Sequence, residues 1–262
     1  MAKQSRSQTL LAVKHLWVGY GSFILMKDIS FEVKAGEIFF ITGGSGCGKS
    51  TLLKVLMGLK APMQGEILYG EHDFWRCGEE ERKTIQRDTG ILFQSGALWS
   101  SMTLAENVAL PLNAYTNLDQ EEILEQARLK LALAGLAGFE DYYPSEISGG
   151  MRKRAGLARA LALDPRILFL DEPSAGLDPV SAKHLDDLIL ELRETLGTTF
   201  IIVSHELASI FAIANSIIYL DNQTRTIKAS GDPRLLRDSS QTPICALNFL
   251  TRGEAQAYNG VG

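Results

Sequence analysis

The chain has 262 residues, of which 45% are hydrophobic, 8% aromatic and 22% charged. This excludes the disordered, collagen-like and disulfide-scaffold classes and leaves room for one or two domains with a sizeable core. Lysine and arginine number 26 against 31 aspartate and glutamate, a net charge of −5, which argues against a broad nucleic-acid-binding face because such faces are basic.

In chain order, the N-terminus MAKQSRSQTLLAV offers only LLAV as an apolar stretch, too short for a secretory signal, so the protein is expected not to be exported. Leu11 to Glu37 and then GEILYG, from Gly65 to Gly70, are rich in turns and alternation and predict a small antiparallel sheet. IFFIT (Ile38 to Thr42) is continuously apolar, as in a parallel strand buried on both faces, and a helix is expected from Lys49 to Leu59. From Gly96 to Leu163 the apolar spacing is helical, with a capping-box pair Asp119/Glu122 and a stop at Gly135. ILFLD (Ile167 to Asp171), a helix from Val180 to Leu196, TFIIVS (Thr199 to Ser204), a helix from Glu206 to Ala214 and SIIYLD (Ser216 to Asp221) restore the α/β alternation. The apolar window from Thr198 to Leu220 reaches membrane-spanning length but holds His205, Glu206 and Asn215 near its middle, so it reads as strand, helix, strand. Thr251 to Gly262, with three glycines, is expected to be a mobile tail. Cys47, Cys77 and Cys245 cannot all pair within one chain and have no zinc-ligand spacing, which fits a reducing cytoplasm.

Two motifs carry chemistry. GGSGCGKS (Gly43, Gly44, Ser45, Gly46, Cys47, Gly48, Lys49, Ser50) follows a predicted strand and opens a predicted helix, the context in which this pattern is a phosphate-binding loop. Its glycines turn backbone N–H groups toward phosphate, Lys49 brings a charge to the β- and γ-phosphates, and Ser50 can ligate Mg²⁺, with Thr51 next to it. ILFLDEP ends a buried strand in two carboxylates, Asp171 to hold Mg²⁺ and Glu172 to polarise an attacking water; alone it would be an ordinary acidic turn.

ISGGMRKRAGLARAL, from Ile147 to Leu161, lies between these motifs, and with it the chain resembles the ATP-binding cassette (ABC) family, whose signature usually reads LSGGQ. Tyr20 before the phosphate loop, Gln94 in ILFQSG, SAGLD from Ser174 to Asp178, and His205 in IIVSHE match flanking motifs in the same order. The resemblance covers about Leu10 to Asp232 and implies a P-loop NTPase, RecA-like α/β core with a parallel sheet, an N-terminal antiparallel β subdomain and an inserted helical subdomain at about 96–163. Residues 10–232 would be the ATPase domain and 233–262 a C-terminal extension and tail.

The resemblance also implies ATP and Mg²⁺ as cofactors and assigns roles. Tyr20 would stack on adenine, although a half-buried strand aromatic is the plainer alternative. Gln94 would sense Mg²⁺ and the water at a hinge; His205 would contact the γ-phosphate and orient Glu172. Ser148, Gly149, Gly150 and Met151 would contact the ATP of the other subunit in a head-to-tail homodimer, with Asp178 in the loop between subunits, or simply starting a helix. Met151 stands where the family usually has glutamine and has no side-chain donor. SGGM followed by Arg152, Lys153 and Arg154 is similar to the Mla-type ATPases of MCE lipid transporters.

That narrower resemblance implies an inner-membrane permease and an MCE substrate-binding protein as partners, phospholipid as cargo, and a peripheral position on the cytoplasmic face of the inner membrane. Trp99, just past Gln94, would contact the permease or else belong to the helical subdomain's own core. Two alternatives stay open: transport of another solute, and a soluble ABC ATPase acting on DNA or ribosomes. The second is disfavoured because the chain has no room for a long coiled coil between loop and signature, and carries one cassette. No Asn-Lys-x-Asp motif for reading guanine is present.

Overall fold

The computed structural model of the protein describes residues 8–258. The chain opens with strands β1 (Thr9–Tyr20), β2 (Phe23–Lys34) and β3 (Ile38–Gly43), helix α1 (Lys49–Leu56), strands β4 (Gln64–Tyr69) and β5 (His72–Asp73), and helix α2 (Glu79–Arg87). Strand β6 (Thr89–Leu92), helices α3 (Leu104–Tyr115), α4 (Gln120–Leu133) and α5 (Gly149–Ala160), strand β7 (Ile167–Asp171), helix α6 (Pro179–Leu196) and strand β8 (Thr199–Val203) follow. Helix α7 (Leu207–Ile213), strands β9 (Ser216–Asp221) and β10 (Thr226–Gly231), and helices α8 (Pro233–Asp238) and α9 (Ile244–Tyr258) complete the chain. They form two compact units, one from residues up to 79 and from 201 onward, the other from residues 80–200.

In the first unit, β1, β2, β4 and β5 make an antiparallel sheet of order β2-β1-β4-β5. The sequence alternation shows why: along β2, Ile29, Phe31 and Val33 are buried while Ser30, Glu32 and Lys34 are exposed. Every residue of β3 is buried, and it pairs in parallel with β9, Phe39 opposite Ser216 through Gly43 opposite Leu220. β10 then runs antiparallel to β9. Helix α1 ends at Leu56, short of the expected Leu59. Gly58 adopts φ +74° there, and a Cβ on it would lie 2.2 Å from the Phe74 ring, so the chain must turn out of the helix.

In the second unit, β6 and β7 pair in parallel, Thr89 opposite Ile167 through Leu92 opposite Leu170. The capping box at Asp119 forms: its carboxylate accepts the Glu121 and Glu122 N–H groups at 2.9 and 3.0 Å, and Glu122 returns a bond to the Asp119 N–H at 2.9 Å. A second box, Thr103 with Glu106, opens α3. The apolar window from Thr198 to Leu220 folds as strand, helix and strand, and no helix among the described residues is long and apolar enough to cross a membrane.

The expected mobile tail is corrected in part. Thr251 to Tyr258 belong to α9, and the rest of that segment lies outside the described residues. Composition misleads here because the anchor lies upstream: Ala246, Phe249 and Leu250 are buried, and the Phe249 ring packs 5.4 Å from that of Tyr219 in β9. Once those turns are docked, adding residues to the helix is favourable.

Candidate nucleotide site

The first unit carries the phosphate loop at the C-terminal end of β3. A Cβ on Gly43 would lie 2.5 Å from the Leu220 carbonyl and 2.8 Å from Cys47 Sγ, so only glycine lets the chain leave the strand here. Gly44 to Cys47 form the turn, braced by Asn222, whose amide donates to the Ser45 carbonyl at 3.1 Å. Gly48 caps α1 in the left-handed conformation, φ +95°, and no acidic residue occupies the first turn of that helix. The Lys49 ammonium donates to the Gly43 and Gly44 carbonyls at 3.0 Å each. The helix start is thus an uncapped donor surface with a cation beside it, which fits polyphosphate. Cys47 is buried under the loop, and burial pushes its thiol pKa up against the opposing charge of Lys49.

Ser50 is half-buried, and the hydroxyl of neighbouring Thr51 lies 3.4 Å from Tyr20 Oη. Tyr20 is 53% exposed rather than half-buried, and the Lys60 ammonium sits 4.5 Å from its ring centroid. His205 follows the buried β8 and is exposed, its Nε2 3.4 Å from a Glu206 carboxylate oxygen. Its backbone carbonyl accepts a bond from the Arg252 guanidinium of α9. Nothing in the sequence linked Asn222, Lys60 or Arg252 to these motifs, because each connection is made by folding.

The second unit carries the carboxylates and the signature. Asp171 is the last residue of β7, and Glu172 follows with φ +47°, a left-handed conformation unusual for a residue with a side chain. Ser148 is the N-cap of α5, its Oγ accepting the Met151 N–H at 3.2 Å. That bond uses a lone pair of the hydroxyl and leaves its O–H to donate elsewhere. Ser148 and Gly149 are exposed, Gly150 and Met151 half-buried. A Cβ on Gly150 would lie 3.4 Å from Ser181 of α6. Asp178 caps α6, accepting the Val180 and Ser181 N–H groups at 3.0 Å each, and bonds from the Ser181 side chain and backbone hold its pKa down.

The three cations after the signature do not form one basic face. Arg152 donates to the Ile147 carbonyl at 2.8 Å and Arg154 to the Gly135 carbonyl at 2.9 Å. Lys153 is buried and donates to the backbone carbonyls of Gln94 and Glu172, the latter at 3.2 Å. Burial lowers its pKa, opposed by the charges of Glu172 and Asp171. Farther along α5, Arg159 donates to the Gly96 and Ala97 carbonyls at 2.9 and 2.7 Å. The Gln94 side chain is exposed. Trp99 is 61% exposed, so it is not a core aromatic. Its backbone is fixed by the fully buried Asn107, which sequence reasoning missed.

The sequence profile of the ABC transporter family matches residues 26–175, across the phosphate loop, the signature and both carboxylates. The chain belongs to the ABC transporter family. The cassette is 45% identical over 195 residues to a "Probable ribonucleotide transport ATP-binding protein mkl" of Mycobacterium leprae, covering 74% of this chain and 56% of that one. It therefore spans about half the length of the mkl relatives it matches. It is 40% identical over 249 residues to the "Intermembrane phospholipid transport system ATP-binding protein MlaF" of Haemophilus influenzae, covering 95% of this chain and 92% of that one. Among solved structures, the cassette MJ0796, a dimer bound to ADP and Pi, aligns with TM-score 0.75 and 30% identity over 85% of this chain and 98% of its own. The α/β fold with parallel strands and an attached antiparallel sheet is thus that of an ABC cassette.

Proposed function

We propose that this chain is the ATP-hydrolysing subunit of an ABC transporter, one that dimerises around two ATP molecules to drive an inner-membrane permease moving phospholipid with an MCE-type partner. It would sit peripherally on the cytoplasmic face of that membrane. The observation that carries the lipid reading is the match to MlaF along nearly the whole of both chains. The name of mkl favours a second reading, transport of a ribonucleotide or another solute, but that likeness covers only 56% of the mkl chain.

In the proposed cycle, the backbone N–H groups of the phosphate loop and the Lys49 ammonium bind the β- and γ-phosphates, and the exposed ring of Tyr20 stacks on adenine. Mg²⁺, held by Ser50, Asp171 and Gln94, would neutralise charge on the phosphates. Glu172 would polarise the attacking water and take its proton, while His205 would contact the γ-phosphate and orient Glu172. Ser148, Gly149, Gly150 and the capped Met151 backbone present the start of α5 to the nucleotide of a second copy, with Asp178 at the seam. Two nucleotides then hold the dimer closed until hydrolysis releases it, and the permease reads that difference.

The test is purification of the transporter from its native membrane with this chain as bait, followed by mass spectrometry of proteins and lipids. A permease, an MCE protein and bound phospholipid are expected. A permease with a soluble solute-binding protein and no enriched lipid would overturn the lipid reading and leave the family unchanged.

A further inference from the structure

We propose that Lys153 is a positioning residue for ATP hydrolysis, fixing the backbones of Gln94 and Glu172 to the helix that begins with the signature. The inference rests on the reading that Gln94 and Glu172 act on the nucleotide and water.

Three observations in the second unit converge on it. The first is that Lys153 lies in a helix interior at 7% exposure, where an ammonium loses hydration and must find acceptors. Its acceptors are the main-chain carbonyls of Gln94 and Glu172, which belong to two different segments. A charge-assisted bond to a carbonyl is roughly twice as strong as a neutral one, so the link constrains both segments together.

The second is the conformation of Glu172. A left-handed φ of +47° is unfavourable for glutamate and persists only where the surroundings over-determine it. The bond from Lys153 to the Glu172 carbonyl is one such constraint, applied to the residue whose carboxylate direction matters.

The third is that the grip on the Gln94 loop is continuous. Arg159 holds the Gly96 and Ala97 carbonyls, and Ala97 has φ +49°. Gly156 lets the loop close on the helix, since a Cβ there would lie 3.1 Å from the Gly96 carbonyl oxygen. One helix therefore presents the signature at its start and holds the loop of Gln94 along its length. A shift of α5 moves the Gln94 and Glu172 backbones with it, whereas a solvated lysine would leave them independent.

The experiment is steady-state ATP hydrolysis by the full chain with Lys153→Met, Lys153→Arg and, as a control on the underlying reading, Glu172→Gln. Methionine keeps the buried stem and removes the donors, so kcat is expected to fall about tenfold or more with KM for ATP within about twofold, the pattern of an interaction that matters only in the transition state. Arginine restores N–H donors, so it is expected to recover kcat to within about threefold of the original chain.

An unchanged kcat in Lys153→Met, a loss confined to KM, or an equal loss in the methionine and arginine variants would overturn the proposal. If Lys153→Met does not fold, Lys153→Arg is compared with Lys153→Gln, whose shorter amide cannot span both carbonyls. Higher kcat for arginine at equal KM is expected, and equal kcat overturns the proposal. Full turnover in Glu172→Gln refutes the reading of Glu172 and with it the reason offered for Lys153. Slow Glu172→Gln beside full turnover in Lys153→Met refutes Lys153 alone.

Discussion

Asn107→Ala and Trp99→Ala are expected to separate stability from coupling in the segment that follows Gln94. Asn107 is fully buried; its Oδ1 accepts the Trp99 N–H at 2.7 Å, and its amide donates to the carbonyls of Trp99, Met102 and Thr103 at 3.0, 3.1 and 2.9 Å. Alanine removes all four bonds. An orphaned buried polar group costs about 1–3 kcal/mol, and the loop side can partly rehydrate, so the net loss should be about 2–3 kcal/mol. In a chain of this size that lowers Tm by about 4–12 °C. Trp99 is 61% exposed, and removing an exposed side chain usually changes stability by no more than about 0.5 kcal/mol. Its loss should leave Tm within about 2 °C. Transport by the reconstituted complex should fall in Trp99→Ala while ATP affinity holds, because the exposed indole lies where a permease is proposed to dock. Thermal melts, nucleotide titration and a lipid-transfer assay on both variants make the comparison. If Trp99→Ala melts as early as Asn107→Ala, or transports at the original rate, the docking role of Trp99 is refuted.

Lys49→Ala should weaken ATP binding and abolish hydrolysis, since a charge beside phosphate in a desolvated site contributes several kcal/mol, on the order of one removed oxyanion donor or more; isothermal titration with ATP measures it. Met151→Gln should leave ATPase activity within a few-fold, because the Met151 backbone N–H that Ser148 caps is unchanged, whereas Ser148→Arg should eliminate activity by placing bulk and charge at an exposed helix start. Equal damage from the two would give the Met151 side chain a packing role. Tyr20→Ala should raise KM for ATP by roughly the 1–3 kcal/mol of one stacked base, and the original chain should use GTP at a measurable rate because stacking tolerates any base. Strict selection of adenine would contradict a site read by stacking.

The legible parts of this molecule are those whose physics is local. The continuous apolar runs of β3, β7 and β9 announce strands buried on both faces, and each forms within a residue of its expected bounds. Asp119 with Glu122 satisfies a helix start by itself, so four residues suffice to read it. The phosphate loop is legible because its pattern is contained in the eight residues GGSGCGKS, although Gly43 and Gly48 also answer contacts with Leu220 of β9 and Met26 of β2 that only the fold supplies. What escaped reading depends on distant partners. Lys153 stands in a run of three cations in which nothing local sets it apart from Arg152 and Arg154, and only the fold brings to it the carbonyl of Gln94, 59 residues away. Asn107 looks like an ordinary polar residue of a helix until the preceding loop wraps over it. The start of α9 was missed for the same reason, since its stability comes from Phe249 docking on Tyr219 rather than from its own composition.

The most direct test of the central claim is ATP turnover by Glu172→Gln, measured together with the mass of the nucleotide-bound species. The phosphate loop and Asp171 are untouched by the substitution, so ATP should still bind, while removing the base should slow hydrolysis by about 10²–10⁴-fold. A dimer retaining two ATP molecules should accumulate. Turnover within a few-fold of the original chain, with no trapped dimer, would contradict the account.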